Sequence, residues 1–296
     1  MDPTLKHAAL TKRRLNALFA PSPHDGCTFA GEAAALITRK GSRAENQDRA
    51  FVAIISQPQL DRGLFVAGVL DGMGGMKAGG RAASIAASRF LHSLSISSLS
   101  DTPTRFARAI SAANADVWAV LRGAGGATLT AVAITDSDQC FVVHAGDSRL
   151  YRANSGVLDQ VTGDDTLAGL LGGDDPNVSS NELMQFVGIG DRLAYQTFDL
   201  SADHSERLLL TTDGFHEFMD GRRLAAVAGQ RALSEKALMR LASGPVVGDN
   251  ATAITIHRRN VVAKLACRRS STDQVTSTTG ALRSPTCWAR GVEDGG

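Results

Sequence analysis

The stretch from Gly68 to Gly80, GVLDGMGGMKAGG, places an aspartate between an apolar run and a cluster of glycines. The apolar run at 64–70 predicts a buried β-strand that ends at Asp71. The strand would fix the carboxylate in position, and the glycines would leave the neighbouring backbone open to a ligand. This stretch alone also fits an Asp-Gly turn without a function.

The same arrangement occurs at three other aspartates in the chain. Asp213 follows the apolar run 208–212, Asp147 follows the run 140–145, and Asp249 shortly precedes the run 253–256. No cysteine or histidine accompanies these aspartates as a metal-ligand partner. Oxygen-only ligands favour Mg²⁺ or Mn²⁺ over zinc, so the pattern predicts a site for a hard cation.

Composition limits the class of protein. The chain has 296 residues, 43% of them hydrophobic, and a formal charge of +1, which predicts one substantial core and gives no overall field for nucleic acid. Four irregularly spaced cysteines favour a reducing compartment. No apolar run reaches the ~20 residues that span a bilayer, and no secretory signal is recognisable. We therefore expect a cytoplasmic protein without a membrane span.

The chain divides into three predicted regions. Residues 1–30 read as a basic N-terminal helix and a linker, either a docking arm or a segment that packs on the domain or frays. Residues 31–258 contain the apolar periodicity of a single globular domain. Residues 259–296 are rich in Arg, Ser, Thr and Gly and predict a disordered tail, either a plain solvated segment or one that is phosphorylated or binds a partner.

Within the domain, the patterns predict an α+β fold. Strands are expected at 36–38, 51–55, 64–70, 129–135, 140–145, 150–153, 208–212 and 253–256, and helices at 83–94, 106–120 and 234–241. The strand connections after 129 are short, which indicates antiparallel pairing. We therefore predict an αββα sandwich of two antiparallel sheets flanked by helices. The Gly- and Asp-rich segment 154–190 is expected to form a surface flap, with a disordered insertion as the alternative.

The aspartate pattern is compatible with phosphate chemistry. Two divalent ions that share carboxylate ligands such as Asp71 and Asp213 can activate water and neutralise phosphoryl oxygens, with Asp249 as a third ligand. Arg43 is the best-placed arginine for binding two phosphate oxygens, although it also fits an ordinary surface arginine. The sequence contains no cysteine followed six residues later by arginine, no GxxxxGK[ST] loop and no HExxH helix.

Six motifs, in order, resemble those of the type 2C, metal-dependent protein serine/threonine phosphatases, most closely the bacterial members with DGMGG. They are RAENQD (43–48), VLDGMGG (69–75), GATLTAVAI (126–134), HAGDSRLYR (144–152), LLLTTDGF (208–215) and GDNATAITI (248–256). The resemblance covers residues 33–257. It implies an αββα sandwich with a binuclear Mn²⁺ or Mg²⁺ centre between the ends of the sheets.

The resemblance also implies a set of metal ligands. Asp71 would bridge the two ions and Gly72 would offer its carbonyl oxygen to one of them, while Asp213 and Asp249 would hold the other. Asp147 would contribute to a third, weaker ion site. Two tightly bound ions, with this third one, are the cofactors that the resemblance implies.

The remaining roles concern water and phosphate. Asp48 would orient water at the ions, and Arg43 would bind the phosphate. The substrate class would be phosphorylated proteins, opposite a serine/threonine kinase, and the protein would act as a monomer.

Three positions differ from the common family pattern: Gln47 replaces a frequent glutamate, Met76 a frequent histidine, and Asp165-Thr166 a frequent His-Ser pair. These differences bear on metal affinity and substrate range.

Two other functions remain open from the sequence. A small-molecule phosphomonoesterase would use the same metal centre. A catalytically weak regulatory module of the same fold would be expected to lack one of the shared aspartates, and this chain retains them all.

Overall fold

The computed structural model describes most of the predicted catalytic domain. The described residues are 19, 26–30, 32–57, 62–73, 78–97, 101–154, 157–171, 182–203, 205, 207–217 and 248–270. Met76, the helix predicted at 234–241, nearly all of the predicted N-terminal helix and residues 271–296 lie outside them.

The described strands form two antiparallel sheets. The six-stranded sheet has the order β1-β2-β11-β10-β7-β8 and the five-stranded sheet the order β3-β4-β5-β6-β9. The strands of the first are β1 (Gly26–Ala30), β2 (Ala34–Arg39), β7 (Arg149–Asn154), β8 (Val157–Gln160), β10 (Arg207–Thr211) and β11 (Ala251–His257). Those of the second are β3 (Arg49–Gln57), β4 (Arg62–Leu70), β5 (Leu129–Thr135), β6 (Cys140–Ala145) and β9 (Gln196–Asp199).

The residues of β4 explain why the sheets stack as layers. Successive side chains of a strand point to opposite faces, and here both faces are apolar. Leu64 and Val66 pack in the core beneath the helices, whereas Phe65 and Val69 pack in the core between the two sheets. A strand that is apolar on both faces must lie inside a layered structure, which accounts for the uninterrupted apolar run of the sequence.

Two long helices cover the outer face of the five-stranded sheet. α1 (Gly79–Ile96) and α2 (Thr102–Leu121) follow one another, and the Asp101 side chain accepts a hydrogen bond from the Thr104 amide at the start of α2, as expected of an N-cap. Phe90 of α1 and Phe106 of α2 meet edge to face, with ring centroids 5.4 Å apart. The predicted fold of two antiparallel sheets flanked by helices is confirmed.

The boundaries predicted at residues 30 and 258 fall inside the folded domain. β1 pairs with β2 along its full length, from Gly26 opposite Arg39 to Ala30 opposite Ala35. Residues expected in the disordered tail instead form α5 (Arg258–Ser270). The helix was not predicted because its composition is basic. Val261 and Leu265 lie one turn apart on its apolar side and are buried in the core between the sheets.

The segment 154–190, predicted to be an irregular flap, contains regular structure where it is described. Its start forms β8, the edge strand of the six-stranded sheet, and Leu167–Leu170 forms the short helix α3. Another short helix, α4 (Asp213–His216), follows β10. No helix among the described residues is long and apolar enough to cross a bilayer.

The burial of α5 predicts that the domain depends on it. Leu265 is 2% exposed, and truncating such a leucine to alanine typically costs about 2–5 kcal/mol. Leu265→Ala in the full chain should therefore lower the urea midpoint of unfolding clearly. The exposed neighbour Lys264 offers the matched control, since Lys264→Ala should change the free energy of unfolding by no more than about 0.5 kcal/mol. Equal midpoints for the two variants would contradict the burial of α5.

Candidate metal centre

The five predicted aspartates lie at one end of the sandwich. In antiparallel sheets, the end of one strand lies beside the start of the next. Asp48 precedes β3 and Asp71 follows β4, its paired neighbour, while Asp213 follows β10 and Asp249 precedes β11, again a paired neighbour. Asp147 lies in the turn that leads from β6 of one sheet to β7 of the other.

The backbone of Asp71 is held by Thr128. Its amide donates to Thr128 Oγ1 at 2.8 Å, and its carbonyl accepts from the Thr128 amide at 2.9 Å. Burial of the carboxyl group raises the pKa of Asp71 well above its usual range, and the charges of Asp48 and Asp213 raise it further, together with a hydrogen bond to Asp213. Asp71 and Asp213, the predicted shared ligands, therefore lie close together.

Asp48 is buried and only half satisfied. Its Oδ2 atom accepts hydrogen bonds from Thr212 Oγ1 at 2.9 Å and Thr252 Oγ1 at 2.5 Å. Its Oδ1 atom is also buried, yet it has no hydrogen-bond partner among the described residues. Burial raises the pKa of Asp48 to about 7, with the charge of Asp213 adding to the effect and the threonine hydroxyls opposing it. One carboxylate oxygen is thus available for another group.

Asp147 shares this electrostatic environment. Burial raises its pKa to about 7, and the next largest cause is the charge of Asp213. The turn that carries Asp147 is fixed by Ser148, whose hydroxyl is hydrogen-bonded with Thr128 Oγ1 at 2.6 Å. Because Thr128 also holds Asp71, one threonine links the two aspartates.

Arg43 and Asp249 form an ion pair between Nη2 and Oδ2. Both side chains are partly exposed at the mouth of the site, with 47% and 32% of their surface accessible. The Asp249 Oδ1 atom accepts from the Asn250 amide at 2.7 Å. The predicted phosphate-binding arginine is therefore close to a predicted ligand, and the partial exposure of both allows it to turn toward a substrate.

Gly72 occupies a position where no side chain fits. A Cβ atom there would lie 2.6 Å from the carbonyl carbon and oxygen of Gly79, and 2.8 Å from the Gln47 carbonyl oxygen. Gly79 has the reciprocal constraint, since its own Cβ would lie 2.5 Å from the Met73 carbonyl oxygen. The glycines of the quoted stretch therefore bring the start of α1 against the backbone that follows Asp71.

The sequence reasoning missed Asn250, which organises the loop carrying Arg43 and Asp48. Its Nδ2 donates to the carbonyls of Lys40 at 2.7 Å and Glu45 at 2.9 Å, and its Oδ1 accepts from the Gln47 amide at 2.7 Å. The threonines that bind Asp48, Thr212 and Thr252, were missed as well. All three lie within three residues of a predicted aspartate. Their presence in the same sequence motifs was therefore the feature that could have indicated them.

Two of the residues that differ from the family pattern, Gln47 and Asp165, form hydrogen bonds near the site. The Gln47 side chain donates to Glu45 Oε1 at 2.6 Å and so is engaged within its own loop. Asp165 binds the turn before Asp147, since its Oδ2 accepts from the Gly146 amide at 3.0 Å and its Oδ1 accepts from Gln196 at 2.7 Å. Asp165 therefore connects the predicted flap to the site.

The donor set fits a hard cation. The clustered groups are carboxylates with raised pKa values, and Asp48 Oδ1 is a buried acceptor without a described partner. Within the described ranges, no three acidic, histidine or cysteine side chains are arranged as a complete coordination shell. Instead, Asp249 is paired with Arg43, and burial favours the protonated forms of Asp48, Asp71 and Asp147.

The chain is similar to known proteins in sequence and in fold. No family model matches the chain. The serine/threonine phosphatase Stp of Listeria monocytogenes serotype 4b (strain F2365) is 26% identical over 211 residues, which cover 64% of this chain and 83% of that protein.

Solved structures show the same architecture. The PPM Ser-Thr phosphatase MsPP from Mycobacterium smegmatis, in complex with cacodylate, matches with a TM-score of 0.62 and 26% identity, over 77% of this chain and 99% of that chain. The serine/threonine phosphatase Stp1 from Staphylococcus aureus matches with a TM-score of 0.65 and 22% identity, over 80% and 98%. This chain therefore has the sandwich fold of PPM-type serine/threonine phosphatases.

Proposed function

We propose that this protein is a metal-dependent phosphatase that hydrolyses phosphoserine and phosphothreonine monoesters in proteins. The observation that carries the proposal is the placement of five aspartates from both sheets at one end of the sandwich, where Asp48 Oδ1 is a buried acceptor without a partner among the described residues. The phosphatases to which the chain is similar, with 26% identity over 64% and 77% of its length, support the reaction class.

The carboxylates and one carbonyl are the ligands in this proposal. Asp71 would be shared by two Mn²⁺ or Mg²⁺ ions, Gly72 would offer its carbonyl oxygen, Asp213 and Asp249 would hold the second ion, and Asp147 would serve a weaker third ion. The bound ions supply positive charge that makes water acidic and neutralises phosphoryl oxygens. The strand ends hold these ligands rigidly, which favours a fixed arrangement of charge.

Two other residues act on water and substrate. Asp48 uses its unpartnered Oδ1 to accept a hydrogen bond from water and orient it, while Thr212 and Thr252 hold the other carboxylate oxygen. Arg43 binds two phosphate oxygens with its planar guanidinium. Its present partner, Asp249, is a ligand in this scheme, so engagement of Asp249 by an ion would release Arg43 for the phosphate.

The cellular context follows from the reaction. A phosphatase of this class removes phosphate that a serine/threonine kinase has added, so phosphorylated proteins are the proposed substrates. We further propose that the protein acts as a monomer and that it is cytoplasmic, the latter in line with its few cysteines.

The first prediction concerns the catalytic class. Hydrolysis of a phosphothreonine peptide should require Mn²⁺ or Mg²⁺ and persist after thiol alkylation. Cys140 is buried and burial raises the pKa of its thiol to about 12, so it cannot supply a thiolate nucleophile at neutral pH. A peptide assay with Mn²⁺, with excess EDTA and after iodoacetamide treatment checks this. A phosphotyrosine peptide and an aryl phosphate serve as comparison substrates, and full activity in EDTA would contradict the proposal.

A second prediction separates the roles of the aspartates. Asp71→Asn and Asp213→Asn each remove a charge from the proposed tight pair, so kcat should fall about 100-fold or more at every Mn²⁺ concentration. Asp147→Asn should lower turnover while calorimetry still shows two tightly bound ions. Loss of tight Mn²⁺ binding in Asp147→Asn, together with its retention in Asp213→Asn, would show that these roles are assigned wrongly.

A third prediction concerns Arg43. Because its guanidinium meets the phosphate before and during the reaction, Arg43→Ala should raise KM at least as much as it lowers kcat. Arg81, an exposed arginine of α1, provides the control, since Arg81→Ala should leave both constants unchanged. An Arg43→Ala variant with an unaltered KM in steady-state assays would remove Arg43 from phosphate binding.

A further inference from the structure

Arg49 has a buried side chain directly beside the metal centre. It is the first residue of β3 and is 2% exposed. Its Nη1 atom donates to the carbonyls of Asn46 at 2.8 Å and Asp48 at 2.6 Å. Its Nε atom lies 3.0 Å from both Ser84 Oγ and the Phe19 carbonyl oxygen. The guanidinium thus points at backbone and hydroxyl oxygens.

These bonds join two parts of the site. The carbonyls of Asn46 and Asp48 lie on either side of Gln47, whose own carbonyl oxygen limits the space at Gly72. Ser84 belongs to α1, and its hydroxyl donates to the Gly80 carbonyl at 2.7 Å. Arg49 therefore connects the backbone that carries Asp48 with the first turn of α1, which packs against the backbone after Asp71.

The fourth partner of Arg49 comes from the N-terminal region. Phe19 is 4% exposed, and its ring packs edge to face on Phe51, with centroids 6.5 Å apart. Its carbonyl accepts from Arg49 as described above. Phe19 is thus attached to β3 at two points, by an apolar contact and by a charge-assisted hydrogen bond.

We propose that Arg49 is a positioning residue for the metal centre, and that its action depends on the N-terminal segment through Phe19. Arg49 holds the backbone on both sides of Gln47, and thereby sets the direction in which Asp48 presents its Oδ1 atom. The proposal rests on the function proposed above, because it concerns the placement of Asp48 for that reaction. It also gives the N-terminal region a role inside the catalytic domain.

Arg49→Lys in the full chain is the main test. Lysine keeps the positive charge but presents its donors from one atom, so it cannot span acceptors on three segments as the guanidinium does. We expect kcat for an aryl phosphate with Mn²⁺ to fall about tenfold or more and KM to change by less than about twofold. Hydrogen exchange at the amides of Gln47 and Asp48 should become faster. These amides donate to Asn250 and Asn46, and both hydrogen bonds depend on the backbone that Arg49 holds.

Arg258 provides a matched control. It is also 2% exposed, and it binds the carbonyls of Leu200, Asp203 and Asp138 at the opposite end of the five-stranded sheet. Arg258→Lys should lower the melting temperature and leave kcat and the loop amides unchanged. If both variants lose kcat by the same factor at equal folded fraction, Arg49 acts only through general stability and the proposal is overturned.

Two milder variants complete the test. Ser84→Ala removes one acceptor of Arg49 with little change in volume, so it should lower kcat in the same direction as Arg49→Lys and keep the chain folded. Phe19→Ala should do the same through the N-terminal contact. An unchanged kcat in Phe19→Ala would overturn the dependence on the N-terminal segment, and an unchanged kcat in Ser84→Ala and Arg49→Lys would overturn the positioning role.

The positioning role of Arg49 and the proposed function can fail separately in these experiments. If the wild-type chain hydrolyses no phosphate ester with Mn²⁺, the proposed function fails. Amide exchange at Gln47 and Asp48 and Mn²⁺ calorimetry would then still report whether Arg49 sets this loop. Unchanged exchange and unchanged Mn²⁺ binding in Arg49→Lys would overturn the positioning role on their own.

Discussion

Repulsion between carboxylates at one end of the sandwich is the constraint on which the site depends. Two like charges about 4 Å apart repel by about 4 kcal/mol at an effective dielectric constant near 20, a large part of the ~5–15 kcal/mol by which a domain is stable. Burial raises the pKa values of Asp48, Asp71 and Asp147, and the charges of neighbouring carboxylates raise them further. Such a cluster favours any cation that can approach it.

The surrounding structure tolerates this cluster because neutral groups hold it in place. Thr212 and Thr252 donate hydroxyl hydrogen bonds to one oxygen of Asp48, and Thr128 holds the backbone of Asp71. Hydroxyl donors stabilise a carboxylate without adding a charge that would compete with a bound cation. The negative potential therefore stays available at the site, while strand ends fix its geometry.

The features that could be predicted from the sequence are those indicated by residues adjacent in the chain. An apolar run followed by Asp-Gly identifies a buried strand and its end, and this placed Asp71 and Asp213 at strand ends without knowledge of pairing. Asn250 was missed because its partners are distant in the chain: it binds the carbonyls of Lys40 and Glu45 more than 200 residues away. No periodicity reports a contact of that separation.

The two corrected boundaries have a similar cause. β1 is only five residues long and gains its stability by pairing with β2, so its own composition carries little signal. α5 is basic overall, and its buried side carries few apolar residues, among them Val261 and Leu265. In both cases the tertiary contact, and not the local propensity, determines the structure, which is the usual limit of single-sequence reasoning.

Two buried histidines near the site are hydrogen-bonded to threonines. The Nδ1 atom of His144 is hydrogen-bonded with Thr130 Oγ1 at 2.8 Å, and that of His216 with Thr211 Oγ1 at 2.9 Å. Burial lowers the pKa of both, that of His216 to about 3, so both are neutral. The Nε2 atom of His144 also lies 3.0 Å from the Gly163 carbonyl oxygen, so both ring nitrogens of His144 are engaged, whereas the aspartates of the cluster present carboxylate oxygens, the ligand type that hard cations prefer.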